Sequence, residues 1–231
     1  MVSRESKTSS HSSESEEQGD APNAARRGHR TRERKRAKSA PLDETRLRDL
    51  ALAYVARFST TAAKVEGYLA RKIRERGVAE DGEGRMVELD VPALVSRLVE
   101  LGYIDDDAYA RGKSRDLTQR GYGKRRVKQA LWAAGVEEDT RAKSAPGEAA
   151  SRRAAMLLAK KRRFGPFARD PIDPDTDRQA AHKAREKQVA AMLRAGHLFE
   201  HIQFILEATQ PDAVEEWVIE AEDEEGEDNG W

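Results

Sequence analysis

Apolar residues recur at helical spacing over most of the interval from residue 47 to residue 208. After Leu47, for example, apolar side chains follow at Leu50, Tyr54, Val55 and Phe58, which lie on one face of an α-helix. No segment alternates between apolar and polar residues for long enough to predict a strand. The pattern, with its capping residues and glycines, predicts eight helices, over about residues 47–58, 59–77, 90–102, 105–120, 124–135, 148–163, 177–194 and 199–208.

A short pattern repeats within these helices: two apolar residues four positions apart, with a glycine four positions further on. Its copies are Leu69, Ile73 and Gly77; Leu94, Leu98 and Gly102; Val127, Leu131 and Gly135; and a degraded copy at Gln188, Met192 and Gly196. Each copy is typical of the last two turns of an amphipathic helix that ends at a left-handed glycine. Helices that end alike at such intervals indicate stacked small helical units. We therefore expect an all-α fold built as an extended or curved array of short helical repeats.

The charge is unevenly distributed, although the net charge is zero. Residues 1–41 carry 10 basic and 6 acidic residues, whereas residues 211–231 carry 10 acidic residues and no basic one. Both ends are poor in large apolar side chains, so we expect them to be disordered. The resulting division is a basic arm over 1–42, a helical-repeat domain over 43–210 and an acidic tail over 211–231.

Several functional classes are excluded or disfavoured. The chain has no cysteine, which excludes disulfides and thiolate metal sites, and no apolar run long enough to span a membrane. The segment from Gly121 to Lys124 fails as a phosphate loop, because Thr118 and Arg125 stand where a glycine and a Ser or Thr are needed. His197, Glu200 and His201 match a zinc-protease spacing but lack a third ligand, so we interpret them as helix packing. We expect no enzyme activity, metal or cofactor, and a cytoplasmic protein.

The better candidates for function are the basic residues, which fall into three clusters. The first and the last of these clusters lie near the C-terminal ends of helices, where cations complement the helix dipole. The second cluster lies in the first turn of a helix, where cations oppose the dipole. Positive charge is slightly unfavourable in the first turn of a helix, so its presence there favours an anionic partner, either a phosphate or an acidic protein surface. The clusters are Arg71, Lys72, Arg74 and Arg76; Lys124, Arg125, Arg126 and Lys128; and Lys160, Lys161, Arg162 and Arg163.

One segment is more specific. It reads Gly102-Tyr103-Ile104-Asp105-Asp106-Asp107-Ala108-Tyr109-Ala110 and is followed by Arg120-Gly121-Tyr122-Gly123 and the basic helix. This closely resembles the RecX family of recombination regulators. The stretch 68–77 matches the first block of the family and 191–197 resembles the last, so the resemblance covers about residues 45–208. It is weakest over 137–180, where Pro171-Ile172-Asp173-Pro174 resembles an insertion.

The resemblance implies three tandem three-helix units and a regulatory role. Members of the family bind the RecA filament on DNA and restrain its ATPase and strand exchange, which modulates DNA repair, homologous recombination and the SOS response. Direct contact with single- or double-stranded DNA stays open, and a monomer is expected. The motif residues Gly102, Tyr103, Asp105, Asp106, Tyr109 and Gly121 are expected to be mostly structural, with Tyr103 in the core.

A second hypothesis is a DNA-binding protein that acts without RecA. The short helices 105–120 and 124–134, joined by a glycine turn, resemble a helix-turn-helix. Against it, the second helix offers Val127, Gln129 and Trp132 but few residues suited to reading base edges.

Overall fold

The computed structural model describes residues 40–169 and 176–228. The chain divides into two compact parts, residues 1–41 and residues 42–231, and every described helix belongs to the second part. Residues 1–39 of the basic arm and the insertion at Pro171–Pro174 lie outside the described residues. The helices are α1 Glu44–Val55, α2 Ala62–Arg76, α3 Val91–Glu100, α4 Asp106–Gln119, α5 Lys124–Trp132, α6 Glu138–Lys143, α7 Glu148–Arg162, a 3-10 turn Gly165–Phe167, α8 Arg178–Ala195, α9 Phe199–Glu207 and α10 Pro211–Asp228.

The expectation of an all-α fold is confirmed. The ranges 40–169 and 176–228 contain no β-strand, only isolated bridges such as that between Leu42 and Val78. All eight predicted helices are present, with ends within three residues of the predicted ones. Side-chain capping explains this agreement, since the residue before each of α1, α2, α3, α4 and α8 accepts a hydrogen bond from the first turn. No described helix is both long and apolar enough to cross a membrane.

Three separate hydrophobic cores divide the helices into three consecutive units. Unit one (α1–α3) is built around Leu47, Leu69 and Val95. Unit two (α4–α6) is built around Val127 and Leu131, with α6 packed on α4 and α5. The pattern found in the sequence marks helix ends within these units: two copies lie in unit one, one lies in unit two, and the degraded copy lies at the end of α8. The third core, which defines unit three (α7–α10), contains Ala155, Ala159, Met192, Ile202, Ile205, Val214, Trp217 and Val218.

Units two and three meet head to tail, at what we call the α8–α5 junction. The N–H of Gly123 donates to the Ala195 carbonyl at 2.9 Å, and the N–H of Arg125 donates to the Gly196 carbonyl at 3.1 Å. The last carbonyls of α8 thus satisfy N–H groups at the start of α5 that have no partner inside that helix. A side chain at Gly196 would not fit, because its Cβ would lie 2.4 Å from the backbone nitrogen of Arg126.

Units one and two meet in the same manner, at the α5–α2 junction. The Thr61 hydroxyl, which caps α2, donates to the Ala134 carbonyl just beyond α5 at 2.5 Å. A Cβ on Gly135 would lie 2.3 Å from the Cβ of Ala63. The N–H of Ala62 donates to Asp106 Oδ1 at 2.9 Å, which ties α4 to the same place. The C-terminal end of α8 therefore abuts the start of α5, and the end of α5 abuts the start of α2.

The prediction that residues 211–231 form a disordered tail is wrong for 211–228, which form α10. Its carboxylates suggested self-repulsion, but Val214, Trp217, Val218 and Ala221 lie on one face and are buried. Arg153 pairs with Glu222, and the Lys160 Nζ lies 2.6 Å from Glu215 Oε1. The cations of α7 therefore relieve the repulsion within α10. Helix α6 was also not predicted, because six residues show no full apolar period.

The α8–α5 junction yields a stability prediction. Gly196 has φ of 90°, and alanine there would combine an unfavourable backbone conformation with the collision against Arg126. We expect Gly196→Ala to lower the free energy of unfolding by roughly 2–4 kcal/mol. Urea denaturation followed by circular dichroism measures it.

Gly67→Ala is the matched control. Gly67 is exposed within α2, and a Cβ added to it would meet no atom within 4 Å, so alanine should raise the stability by about 0.5–1 kcal/mol. Wild-type stability of Gly196→Ala would contradict the junction as described.

Candidate anion-binding interface

The first predicted cationic cluster lies in the second half of α2, and carboxylates hold part of it. Lys72 is only 22% exposed, and its Nζ lies 2.5 Å from Glu75 Oε2; Arg71 Nε lies 3.7 Å from Glu75 Oε1. Arg74 and Arg76 stand in the last turn of α2, where cations complement the helix dipole. This cluster is at the end of α2 remote from the α5–α2 junction, so the structure does not bring it together with the other two.

The second cluster opens α5 and lies directly at the α8–α5 junction. Lys124, Arg125 and Arg126 are exposed, and Arg126 donates to the Gln129 side chain at 2.8 Å. The negative end of the α8 dipole faces the start of α5, so these cations also lie near an end that attracts positive charge. The cost from which the sequence inferred an anionic partner is therefore offset within the chain. Lys128 is held by Glu138 at 3.0 Å.

The third cluster is divided by the packing of α7. Lys160 points to α10 and pairs with Glu215, so it is not a free cation. Lys161 and Arg162 lie on another side of α7, and both are exposed without a hydrogen bond or ion pair to any described residue. Arg163 ends α7 in the left-handed conformation with φ of 57°.

Lys161 and Arg162 line a small cavity beside the α8–α5 junction, which we call the junction pocket. Its volume is about 250 Å³, and Arg120 and Arg194 complete a set of four cations around it. Tyr122 and Phe164 supply aromatic surface, and the Arg120 guanidinium lies 5.8 Å from the centre of the Tyr122 ring. None of the described residues that line the pocket is acidic.

This arrangement suits a ligand that carries phosphate groups. Guanidinium and ammonium groups bind phosphate oxygens through charge-assisted hydrogen bonds, and aromatic rings offer a surface for a base. Sequence reasoning missed Arg120 and Arg194. Arg120 directly precedes Gly121, and Arg194 stands two residues before Gly196. The available signal was that glycines repeat at helix ends, and the sequence does not show that these particular ends converge.

The two histidines of the zinc-like spacing face different partners. His197 is 1% exposed, and its Nε2–H donates to the Gly121 carbonyl at 3.1 Å, across the α8–α5 junction. Its Nδ1 has no partner among the described residues and is therefore the unprotonated nitrogen of a neutral ring. His201 lies 3.0 Å from Glu148 Oε1 and packs edge-on against Trp217. Burial lowers the pKa of His197 to about 4, although the Gly121 carbonyl acts in the opposite direction.

Comparison with known proteins places the chain in a family. A regulatory protein RecX of Myxococcus xanthus is 30% identical over 178 residues, which is 75% of this chain and 91% of that protein. This chain belongs to the RecX family of regulatory proteins. A second regulatory protein RecX, from Agrobacterium fabrum, is 33% identical over 144 residues, or 61% of this chain and 70% of that protein.

The fold agrees with this membership. The crystal structure of RecX from Lactobacillus salivarius superposes with a TM-score of 0.52 at 16% identity, over 71% of this chain and 95% of that one. A scan against models of protein families found no match. The resemblance to RecX seen in the motifs is thus confirmed by relatives matched over most of their length.

The RecX-like motif residues lie around the two junctions. Asp105 caps α4 by accepting from the Ala108 N–H at 2.7 Å. Asp106 caps α2, and burial raises the pKa of its carboxyl despite the hydrogen bond from the Ala62 N–H. The Tyr109 hydroxyl lies 2.5 Å from the Lys64 Nζ.

Two further motif residues complete the picture. Gly121 accepts the hydrogen bond of His197, and Gly102 follows α3 with φ of 73°. The prediction that Tyr103 is a core residue is wrong, since it is 57% exposed, whereas the next residue, Ile104, is 3% exposed and fills unit one. The turn at Gly102 directs the aliphatic side chain inward instead of the aromatic one.

The buried His197 predicts a pH dependence of stability. In the unfolded chain this ring takes up a proton near pH 6.5, whereas in the folded chain it does so only near pH 4. The unfolded state therefore binds more protons as the pH falls through this window, and stability is lost. Between pH 7.5 and pH 4, His197 should account for a loss of about 3 kcal/mol, and His197→Gln should remove that part of the loss.

Urea unfolding across this pH range measures the difference. His182→Gln is the control, because His182 is 73% exposed and should leave the wild-type pH dependence in place. An equal pH dependence in wild type and His197→Gln would show that the ring is not held neutral by burial.

Proposed function

We propose that this chain binds the RecA recombinase filament on DNA, restrains its ATPase and strand exchange, and so modulates DNA repair, recombination and the SOS response. The observation that carries the proposal is the 30% identity to a regulatory protein RecX over most of both chains. The chain acts in this proposal as a cytoplasmic monomer, by binding and without catalysis.

The junction pocket is the surface that we assign to an anionic part of the filament. Lys161, Arg162 and Arg194 supply three exposed cations that no described residue neutralises. Arg120 is less available, because its guanidinium lies 3.5 Å from Asp116. DNA within the filament, reached directly, fits this surface best, because its phosphates match the cations and its bases match the aromatic surface of Tyr122 and Phe164. The clusters on α2 and at the start of α5 remain candidates for additional contacts.

The alternative of a helix-turn-helix protein that acts without RecA has less support. A recognition helix reads bases with residues near its N-terminus, which must enter the major groove. The start of α5 instead lies against Ala195 and Gly196, and Val127 is only 1% exposed. The start of α5 is therefore packed against the end of α8, which limits its entry into a major groove, although the side chains of Lys124, Arg125 and Arg126 are exposed.

An ATPase titration tests the proposal. Increasing amounts of the chain are added to RecA assembled on single-stranded DNA, and the rate of ATP hydrolysis is followed. We expect the wild type to inhibit at substoichiometric amounts. The variant Lys161→Gln, Arg162→Gln, Arg194→Gln should need roughly 10–100 times more protein for half inhibition, because each lost contact costs about 0.5–1 kcal/mol at an exposed site.

The control removes the same charge from another part of unit three. Arg178→Gln, Lys183→Gln, Lys187→Gln alters three exposed cations of α8 that have no partner among the described residues, and it should inhibit like wild type. Thermal melts establish that both variants are folded. Absence of inhibition by the wild type would reject the RecA proposal, and equal inhibition by both variants would reject the junction pocket as the contact.

A further inference from the structure

A second and larger cavity lies between α4 and α7, and we call it the α4–α7 groove. Its volume is about 780 Å³, which is the size of a cleft that takes a ligand or a short peptide segment. None of its described lining residues also lines the junction pocket. A ligand bound in the α4–α7 groove therefore does not occupy the surface that we assign to the RecA filament.

The groove has an aliphatic floor and a cationic rim. Met156 and Leu157 of α7 form part of the floor, and Leu157 is 39% exposed although it is a large aliphatic residue. Five cations line the rim, and the described lining residues include neither a carboxylate nor an aromatic ring. The cations are Arg111 and Arg115 of α4, Lys143 at the end of α6, and Arg153 and Lys160 of α7.

Two of these five cations are already neutralised by α10. Glu222 pairs with Arg153, and Glu215 pairs with Lys160. Arg111, Arg115 and Lys143 make no hydrogen bond or ion pair with any described residue, and all three are exposed. The unsatisfied positive charge of the groove therefore lies along its α4 and α6 edges.

Helix α10 shows which kind of ligand α7 accepts. It is an acidic amphipathic helix that buries Val214, Trp217 and Val218 against the other helices of unit three, and its carboxylates pair with cations of α7. The groove offers the same combination, aliphatic surface bordered by cations, beside the face that α10 covers. The same chemistry of recognition applies to a second acidic amphipathic segment.

We propose that the α4–α7 groove docks an acidic amphipathic segment of a partner protein. An apolar side chain of that segment contacts Leu157 and Met156, and its carboxylates meet Arg111, Arg115 and Lys143. A single-stranded nucleic acid fits less well, because the described residues of the groove lining include no aromatic ring on which a base would stack. The cations of the rim would attract an acidic peptide and a nucleic acid alike. The aliphatic floor favours the peptide, because an apolar side chain packs there.

Fluorescence anisotropy with the full chain tests this proposal. The probe is a fluorescein-labelled synthetic peptide with the sequence of residues 211–228, compared with a scrambled peptide of the same composition and with a labelled 20-nucleotide oligothymidine. Low ionic strength is used, because exposed charge pairs are screened by salt. We expect the amphipathic peptide to bind and the scrambled peptide to bind at least fivefold more weakly.

Three variants locate the binding. Arg111→Gln, Arg115→Gln, Lys143→Gln should weaken peptide binding at least tenfold, and Leu157→Gln should weaken it several-fold without a change of charge. Glu215→Gln, Glu222→Gln should strengthen it several-fold, because Arg153 and Lys160 then become available. The α8 control variant Arg178→Gln, Lys183→Gln, Lys187→Gln should bind within twofold of wild type.

Peptide affinity that is unchanged in the triple groove variant and in Leu157→Gln would overturn the proposal, as would absence of peptide binding. Groove substitutions that weaken oligothymidine binding and leave peptide binding unchanged would assign the groove to nucleic acid instead. If the triple variant fails to fold, Leu157→Gln decides: weaker peptide binding supports the proposal, and unchanged peptide affinity overturns it.

Discussion

The backbone contact between the end of α8 and the start of α5 positions most of the other functional features of this chain. Gly123 and Gly196 approach so closely that a Cβ on either would lie 2.4 Å from the backbone of the other helix. Two N–H groups of the α5 start find carbonyls there, and His197 adds a third hydrogen bond to Gly121. The junction pocket exists only because this contact brings the ends of α4, α7 and α8 to one place, so its cations come from helices far apart in sequence.

The same contact changes the interpretation of the basic residues. A helix start with three cations is unfavourable in isolation, and from the sequence this indicates an external anion. In the folded chain the C-terminal carbonyls of α8 face Lys124, Arg125 and Arg126, so the local field is not that of an isolated helix start. Among the described residues, Lys161, Arg162 and Arg194 have no ion pair, and the fold brings them together around the pocket. Unpaired cations gathered around a pocket are a better guide to a partner than charge at a helix end.

Local features of the sequence were sufficient for eight of the ten described α-helices and insufficient for the contacts between helices. Asp43, Thr61 and Asp90 cap helices by bonding three residues ahead, which depends on nothing distant, and such helices are predicted within three residues. Whether residues 211–228 form a helix depends on α7, because Arg153 and Lys160 pair with carboxylates that would otherwise repel one another. Tyr103 and Ile104 are adjacent apolar residues, and only the turn at Gly102 decides which one faces inward.

Helix α7 connects the features that bear on function. Its apolar face supports the core of unit three, its cations Arg153 and Lys160 hold α10, and its last turn supplies Lys161 and Arg162 to the junction pocket. The zero net charge of the chain is thus not an even mixture of signs. Acidic residues of α10 are held at one side of α7, while the pocket and the α4 edge of the groove keep their positive charge exposed. A neutral chain can therefore present two cationic surfaces, and because no described residue belongs to both, each can meet a different anionic partner.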